Sequence, residues 1–198
     1  METNRLEAFS DGVIAVIITV LVLEMKVPHG PELQTLAPVL PVFLSYVLSF
    51  VYIGIYWNNH HHMFQLAETL DGAVLWTNLH LLFWLSLLPF TTGWMGENHF
   101  ERWPTVLYGA NLLACAIAFT ILQTSIIRHD GRDGPLAKAV ASDLKGKISP
   151  AIYIAGIACA WFLPAWTGMV FFVVAALVWF VPDRRMERAI RAREAGQG

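Results

Sequence analysis

An all-α membrane protein with six transmembrane helices per chain and both termini cytoplasmic is the fold that the sequence predicts, on three observations. Of the 198 residues, 56% are hydrophobic and only 14% charged, and the mean hydropathy is +0.53, outside the balance of a soluble domain. The apolar residues fall in runs long enough to span about 30 Å of hydrocarbon, which takes roughly 20 residues of helix. The basic residues gather on one side of those runs.

The runs cover about residues 8–26, 37–58, 73–94, 105–127 and 148–181. The first starts with acids at Glu2 and Glu7 and one base, Arg5, and no small-residue cleavage pattern follows it. It therefore reads as a retained helix over about 5–26 rather than as a secretory signal. The second predicts a helix over 37–62, carrying three histidines, His60, His61 and His62, at its end. The third predicts a helix over 73–94 that Pro89 kinks or ends. The fourth spans 105–127, and its Asn111, Thr120, Gln123 and Thr124 suit hydrogen bonding between helices. The fifth run is too long for one crossing, since a continuous helix over 148–181 would rise about 51 Å. Pro164 to Gly168 supplies a break, dividing it into helices over 148–164 and 167–181. Gly156 and Ala160 place two small residues four apart, a spacing that favours close helix packing.

Orientation follows from the bases. With the N-terminus inside, eleven of the 13 are cytoplasmic: Arg5, then Arg128, Arg132, Lys138, Lys145 and Lys147, then Arg184, Arg185, Arg188, Arg191 and Arg193. Only Lys26 and Arg102 lie outside. The fourth loop and the tail are both basic, so an even number of crossings separates them, which independently supports dividing the last run. A single transmembrane domain over 1–182 and a basic cytoplasmic tail over 183–198 result. The tail reads as a stop-transfer and orientation signal, or as a short helix at the headgroups. Cys115 and Cys159 both lie in apolar runs and offer neither a disulfide framework nor a metal site. No internal repeat is found.

On the first helix, at about 100° per residue, Phe9, Gly12, Val16, Thr19, Val20, Leu23 and Val27 share one side. The hydroxyl of Thr19 is its one polar side-chain group. Asp11 lies on the opposite side with Ile14 and Ile18, so the acid and the apolar stripe cannot both face one conduit. From the residues alone, the stripe suits lipid, a neighbouring helix or a pore. Arg5 and Asp11, six apart, are out of phase for direct pairing. Candidate partners for Asp11 lie at the end of the second helix, from Trp57 through Asn58, Asn59, His60, His61 and His62, and at the start of the third, Trp76, Asn78 and His80. Trp57 and His61 share a face, as do His80 and Trp84. Hydrogen bonds between such groups and Ser10 and Asp11 would pin the back of the first helix, and the plainer alternative is a helix start capped by solvent. The histidine triplet points three ways on a helix and has no acidic or thiol partner at ligand spacing, so it reads as loop-end histidines near the headgroups.

The spacing of Arg5, Phe9, Ser10 and Asp11 at the head of this helix resembles the signature of the transmembrane protein 175 family, potassium channels of bacterial membranes and animal lysosomes. The Leu-Pro-Phe at 88–90 is similar to that family too. The resemblance implies that the first helix lines a central pore, with the pore-facing positions carried over to Val16, Thr19, Val20 and Leu23, bulky apolar groups forming a constriction and the threonine aiding selectivity. Relatives often carry Ile or Leu where this chain has Val16 and Val20, which implies a slightly wider or displaced constriction. The resemblance assigns the Arg5, Phe9, Ser10, Asp11 motif to holding that helix. It also implies a homotetramer of one-repeat chains, where the animal members carry two repeats. An apolar ring can gate by expelling water. Nothing resembling the Thr-Val-Gly-Tyr-Gly carbonyl filter occurs, so selectivity is not expected to arise in the usual potassium-channel way.

A potassium-selective channel of the cell membrane, driven by the electrochemical gradient, is therefore expected. Its partners are potassium ions, membrane lipid and other copies of itself, with no cofactor, metal or nucleic acid. The alternative is a proton-coupled secondary transporter, which would call for acids or broken helices at mid-membrane, whereas Asp11 lies near an edge. A membrane enzyme is not expected, since histidine boxes and a nucleophile with a base at working spacing are lacking.

Overall fold

The computed structural model describes residues 3–131, 133–141 and 144–180, and every described element is helical. The expected tail over 183–198 lies outside the described residues. In chain order the elements are α1 (Thr3–Leu23), a 3-10 helix (Leu33–Val39), α2 (Leu40–Leu66), α3 (Gly72–Ser86), α4 (Leu88–Glu97), α5 (Arg102–Asp130), α6 (Pro135–Val140), α7 (Leu144–Phe162) and α8 (Trp166–Phe180). Four stretches among the described residues are long and apolar enough to cross a membrane: Thr3–Leu23, Leu33–Leu66, Gly72–Glu97 and Arg102–Asp130. α8 is apolar but shorter, at 15 residues.

The third stretch, expected as a helix over 73–94 that Pro89 kinks or ends, divides there into α3 and α4. Pro89 has no amide hydrogen to donate to Leu85, and the ladder breaks at Leu87. Asn111 of α5, almost fully buried, enters this break. With its amide turned to satisfy both neighbours, it donates to the Trp84 carbonyl at 3.1 Å and accepts from Leu88 N–H and Thr91 Oγ1, each at 3.3 Å. One side chain thus replaces the backbone bonds that the proline disrupts. A second buried polar group joins α2, α4 and α5, where Ser49 Oγ lies 2.7 Å from Thr92 Oγ1 and 3.0 Å from Tyr108 OH.

α2 runs four residues past the end expected at 62, and α5 extends beyond both expected ends. At that end of the molecule Asp130 accepts from the Glu68 N–H at 2.9 Å and the Thr69 N–H at 3.3 Å, fastening the α2–α3 loop to the last turn of α5. Asp71 caps α3 through the Val74 N–H at 2.9 Å. α6 lies in the segment between α5 and α7 for which no helix was expected.

α7 and α8 form an antiparallel pair, tied at their far ends by Trp179 Nε1 donating to Ser149 Oγ at 2.6 Å. The break expected at Pro164–Gly168 falls between Phe162 and Trp166, and the Pro164 carbonyl accepts from Thr167 Oγ1 at 2.8 Å. Small residues bring these helices together. A Cβ on Gly168 would lie 2.7 Å from the Ala160 Cβ and from the Gly156 carbonyl, and one on Gly109 would lie 2.4 Å from Phe172 Cζ. The Gly156 and Ala160 pair is therefore the seat for α8. Gly168→Leu cannot be accommodated by a rotamer change because the obstruction includes backbone. We expect a loss of about 3 kcal/mol or more and a sharp fall in detergent-stable protein, read by size-exclusion profile and thermal unfolding.

Candidate functional site

α1 has two faces of opposite character. Leu6, Ser10, Ile14, Ile17 and Leu21, spaced at helical intervals, are buried against the rest of the subunit. The other side is bare: Phe9 is 51% exposed, Val16 59% and Leu23 78%, and Thr19 is exposed as well. Val20 is half-buried at the flank of this stripe. Thr19 Oγ1 donates to the Val16 carbonyl at 2.8 Å, which leaves its lone pairs directed away from the helix backbone. Along one flank of the stripe, Gly12, Val13, Val16 and Val20 border an open groove of about 520 Å³ flanked on the far side by Ser86 and Pro89, on either side of the α3–α4 break.

The packed side of α1 carries two polar attachments. The first is a pair of rungs to α2: Trp57 Nε1 donates to Asp11 Oδ1 at 3.0 Å, and His61 Nδ1 donates to Glu7 Oε1 at 2.5 Å. Each rung is four residues from the other on both helices, so they stack one turn apart. The rings of Trp57 and His61 lie nearly parallel, with centroids 6.1 Å apart. His61 Nε2 then accepts from Gln65 Nε2 at 2.9 Å. The second attachment is buried. Ser10 Oγ donates to the Leu6 carbonyl and accepts from Asn78 Nδ2, both at 2.9 Å, and Asn78 Oδ1 accepts from His60 Nε2 at 2.8 Å. His60 therefore carries its proton on Nε2, and its Nδ1 has no partner.

Ser10, Asp11, Trp57, His61 and Asn78 are thus brought together, while the other residues grouped with them are not. Arg5 is exposed and has no side-chain hydrogen bond or ion pair among the described residues, and Phe9 lies on the bare face. His80 is exposed and accepts from Trp84 Nε1 at 2.9 Å, its own neighbour one turn on, so it turns away from α1. The reading of His60 as a loop-end histidine is corrected: α2 continues to Leu66 and His60 is wholly buried within it. Glu7 was missed as well. Its place four residues before Asp11, matched by Trp57 and His61 four apart, was the signal for a two-rung register. Among the described residues no group of three or more histidines, cysteines and acids is placed to hold a metal.

Beyond the other end of α1, Lys26 pairs with Glu97 at the end of α4, 2.6 Å away. The hydrogen bond that Lys26 donates to Glu97, and the charge of that carboxylate, raise the lysine pKa above its ordinary value. The pair is exposed and contributes little to stability.

Residues 5–89 match the sequence profile of the family described as endosomal/lysosomal potassium channel TMEM175. Over 191 residues the chain is 50% identical to a potassium channel of Chryseobacterium sp. (strain P1-3), covering 96% of this chain and 99% of that one. It is 28% identical over 133 residues to the endosomal/lysosomal proton channel TMEM175 of Danio rerio, a match that takes in 64% of this chain and 25% of the fish protein. In structure it is similar to a crystal structure of a lysosomal potassium-selective channel TMEM175 homolog from Chamaesiphon Minutus. The TM-score is 0.76 at 30% identity, over 92% of this chain and 98% of that one.

Proposed function

Because this chain belongs to the endosomal/lysosomal potassium channel TMEM175 family, a family of ion channels and not of enzymes, we propose that it is itself a potassium-selective channel. It conducts down the electrochemical gradient across the cell membrane, in which it is a multi-pass protein. Each chain crosses six times, with both termini in the cytoplasm. Several copies surround the pore, because one exposed helix face per chain cannot enclose a conduit, and four is the number that the family resemblance implies.

The observation that carries this reading is the division of α1 into a sealed side and a bare side. A helix whose back is fixed by buried hydrogen bonds can present Val16, Thr19, Val20 and Leu23 to a central axis. Rings of branched apolar side chains offer an ion no oxygen to replace its hydration shell, and a narrow ring empties of water. This supports a hydrophobic constriction that gates, with four Thr19 hydroxyls beside it discriminating between cations. Asp11 faces α2, so its role is to position α1 and not to meet the ion.

Purified protein in liposomes with an outward potassium gradient should show flux that falls at least tenfold when potassium is replaced by sodium on both sides. Absence of cation flux would overturn the channel reading. Flux that saturates and follows an imposed proton gradient would support the proton-coupled transporter instead. Thr19→Val, which keeps the shape and removes the hydroxyl, is expected to lower the potassium-to-sodium flux ratio several-fold with unchanged assembly.

A further inference from the structure

We propose that each subunit binds a phospholipid, one of whose acyl chains lies in the open groove of about 560 Å³ between α2 and α8 while Arg102, at the start of α5, holds its phosphate. Val47 and Val51 of α2 form one wall, Val173 and Leu177 of α8 form the other, and Phe100 and Trp166 stand at one end. Every side chain that lines the groove is apolar, so it offers nothing to a polar molecule. Its α8 wall runs from Trp166 to Phe180, the whole of that helix, and is therefore about 21 Å long. One leaflet's share of the bilayer core is about 15 Å, so an apolar trough of this length accepts an entire acyl chain.

The groove is on the side of α2 turned away from α1. α1 packs on α2, α3 and α4, whereas α8 packs on α2, α5 and α7. Around α2, Val51 lies about 120° from Trp57, the residue that meets α1.

Apolar contact alone does not single out a lipid molecule, because the tails of the surrounding bilayer are as apolar as the groove. The selecting group is Arg102. Of the two bases expected on the outer face, Lys26 is paired with Glu97, whereas Arg102 is exposed and has neither a side-chain hydrogen bond nor an ion pair among the described residues. It also occupies the first turn of α5, where the helix dipole disfavours a cation, so an anion beside it relieves an unfavourable placement. A guanidinium grips two phosphate oxygens with parallel N–H donors.

The chain around Arg102 brings it to the head of the groove. Phe100, two residues before it, is one of the end residues, and the backbone there is left-handed at both His99 and Phe100, with φ of 49° and 59°, which large side chains seldom adopt. Two turns along α5 from Arg102, on the same side, Gly109 is pressed against Phe172 of α8. Trp103 and Trp161 meet edge to face with centroids 4.8 Å apart, and indoles of this kind sit at the headgroup level of a bilayer.

The test is native mass spectrometry of the delipidated full-length protein, titrated in detergent with dioleoyl phosphatidylglycerol. Saturable binding of one lipid per subunit is expected, and dioleoylglycerol, which has the same tails and no phosphate, should bind about tenfold more weakly. Arg102→Gln should lower phosphatidylglycerol binding to the level of dioleoylglycerol. Val173→Trp, at an exposed position on the wall, should abolish binding by filling the groove, while Ile117→Phe, on the exposed side of α5, should leave it unchanged. A photoreactive benzophenone side chain in place of Leu177, at the exposed rim, should capture a phospholipid when the protein is irradiated in membranes. Absence of saturable binding, or equal binding by the wild type and Arg102→Gln, would overturn the proposal. Capture of another chain at Leu177 would overturn it as well, by seating a second copy in the groove. The measurement needs no current, so its failure is distinct from a failure of the channel reading.

Discussion

Asn78→Leu is expected to leave little folded protein. The substitution removes the one side chain that joins Ser10 of α1 to His60 of α2, and both of those groups are wholly buried. Each then loses a partner that nothing else within reach supplies, at about 1–3 kcal/mol apiece. The sum approaches the entire stability of many domains. Asp11→Ala removes a charge-assisted bond at a partly exposed site and should be milder, lowering the unfolding temperature by several degrees and the yield of assembled protein. Because Asp11 faces α2, whatever current survives should keep its potassium-to-sodium ratio. Thermal unfolding of the two variants beside wild type checks the order, and a ratio that shifts in Asp11→Ala with normal assembly would place the acid at the ion path instead.

Leu23→Ala carries the largest functional effect. Under fourfold symmetry one substitution removes four bulky side chains from one level of the conduit. The wider ring holds water more readily, and an ion crossing it keeps more of its shell. A barrier lower by about 1.4 kcal/mol is a tenfold rise in rate, and we expect at least that increase in potassium flux through liposomes. Ile18→Ala is the matched control. Ile18 is half-buried and packs against the core, so its truncation should cost about 1–3 kcal/mol of stability and leave flux per folded channel unchanged. Equal effects on flux from both variants would remove the distinction between the two faces of α1.

Helical phase was enough to separate those faces in the sequence. A 3.6-residue period assigns Val16, Thr19 and Leu23 to one side and Ile14 to the other whatever the neighbours are, and the exposures follow that assignment. Pro89 and Pro164 were equally legible, because loss of an amide hydrogen acts locally. What depended on distant partners was not legible. Three consecutive histidines read as a polar helix end, since nothing local tells that Asn78, eighteen residues on, buries and satisfies the first of them. Arg5 and His80 shared the composition of the network but not its geometry. Asn111 could be recognised as a hydrogen-bonding residue in a membrane-level helix, whereas its insertion into another helix's broken ladder depends on the register between α5 and α3.

The two rungs between α1 and α2 constrain how such a pore can move. Glu7 and Asp11 meet His61 and Trp57 at matched heights, so a slide of α1 by even one residue, about 1.5 Å, would strain both bonds together. The next register in which acids and donors realign is a full turn away, and there one rung would be lost. A piston stroke of the pore helix is therefore the costly motion. Tilting or rotation with α2 carried along keeps both rungs, so the proposed widening would move α1 and α2 as one, like the blades of an iris.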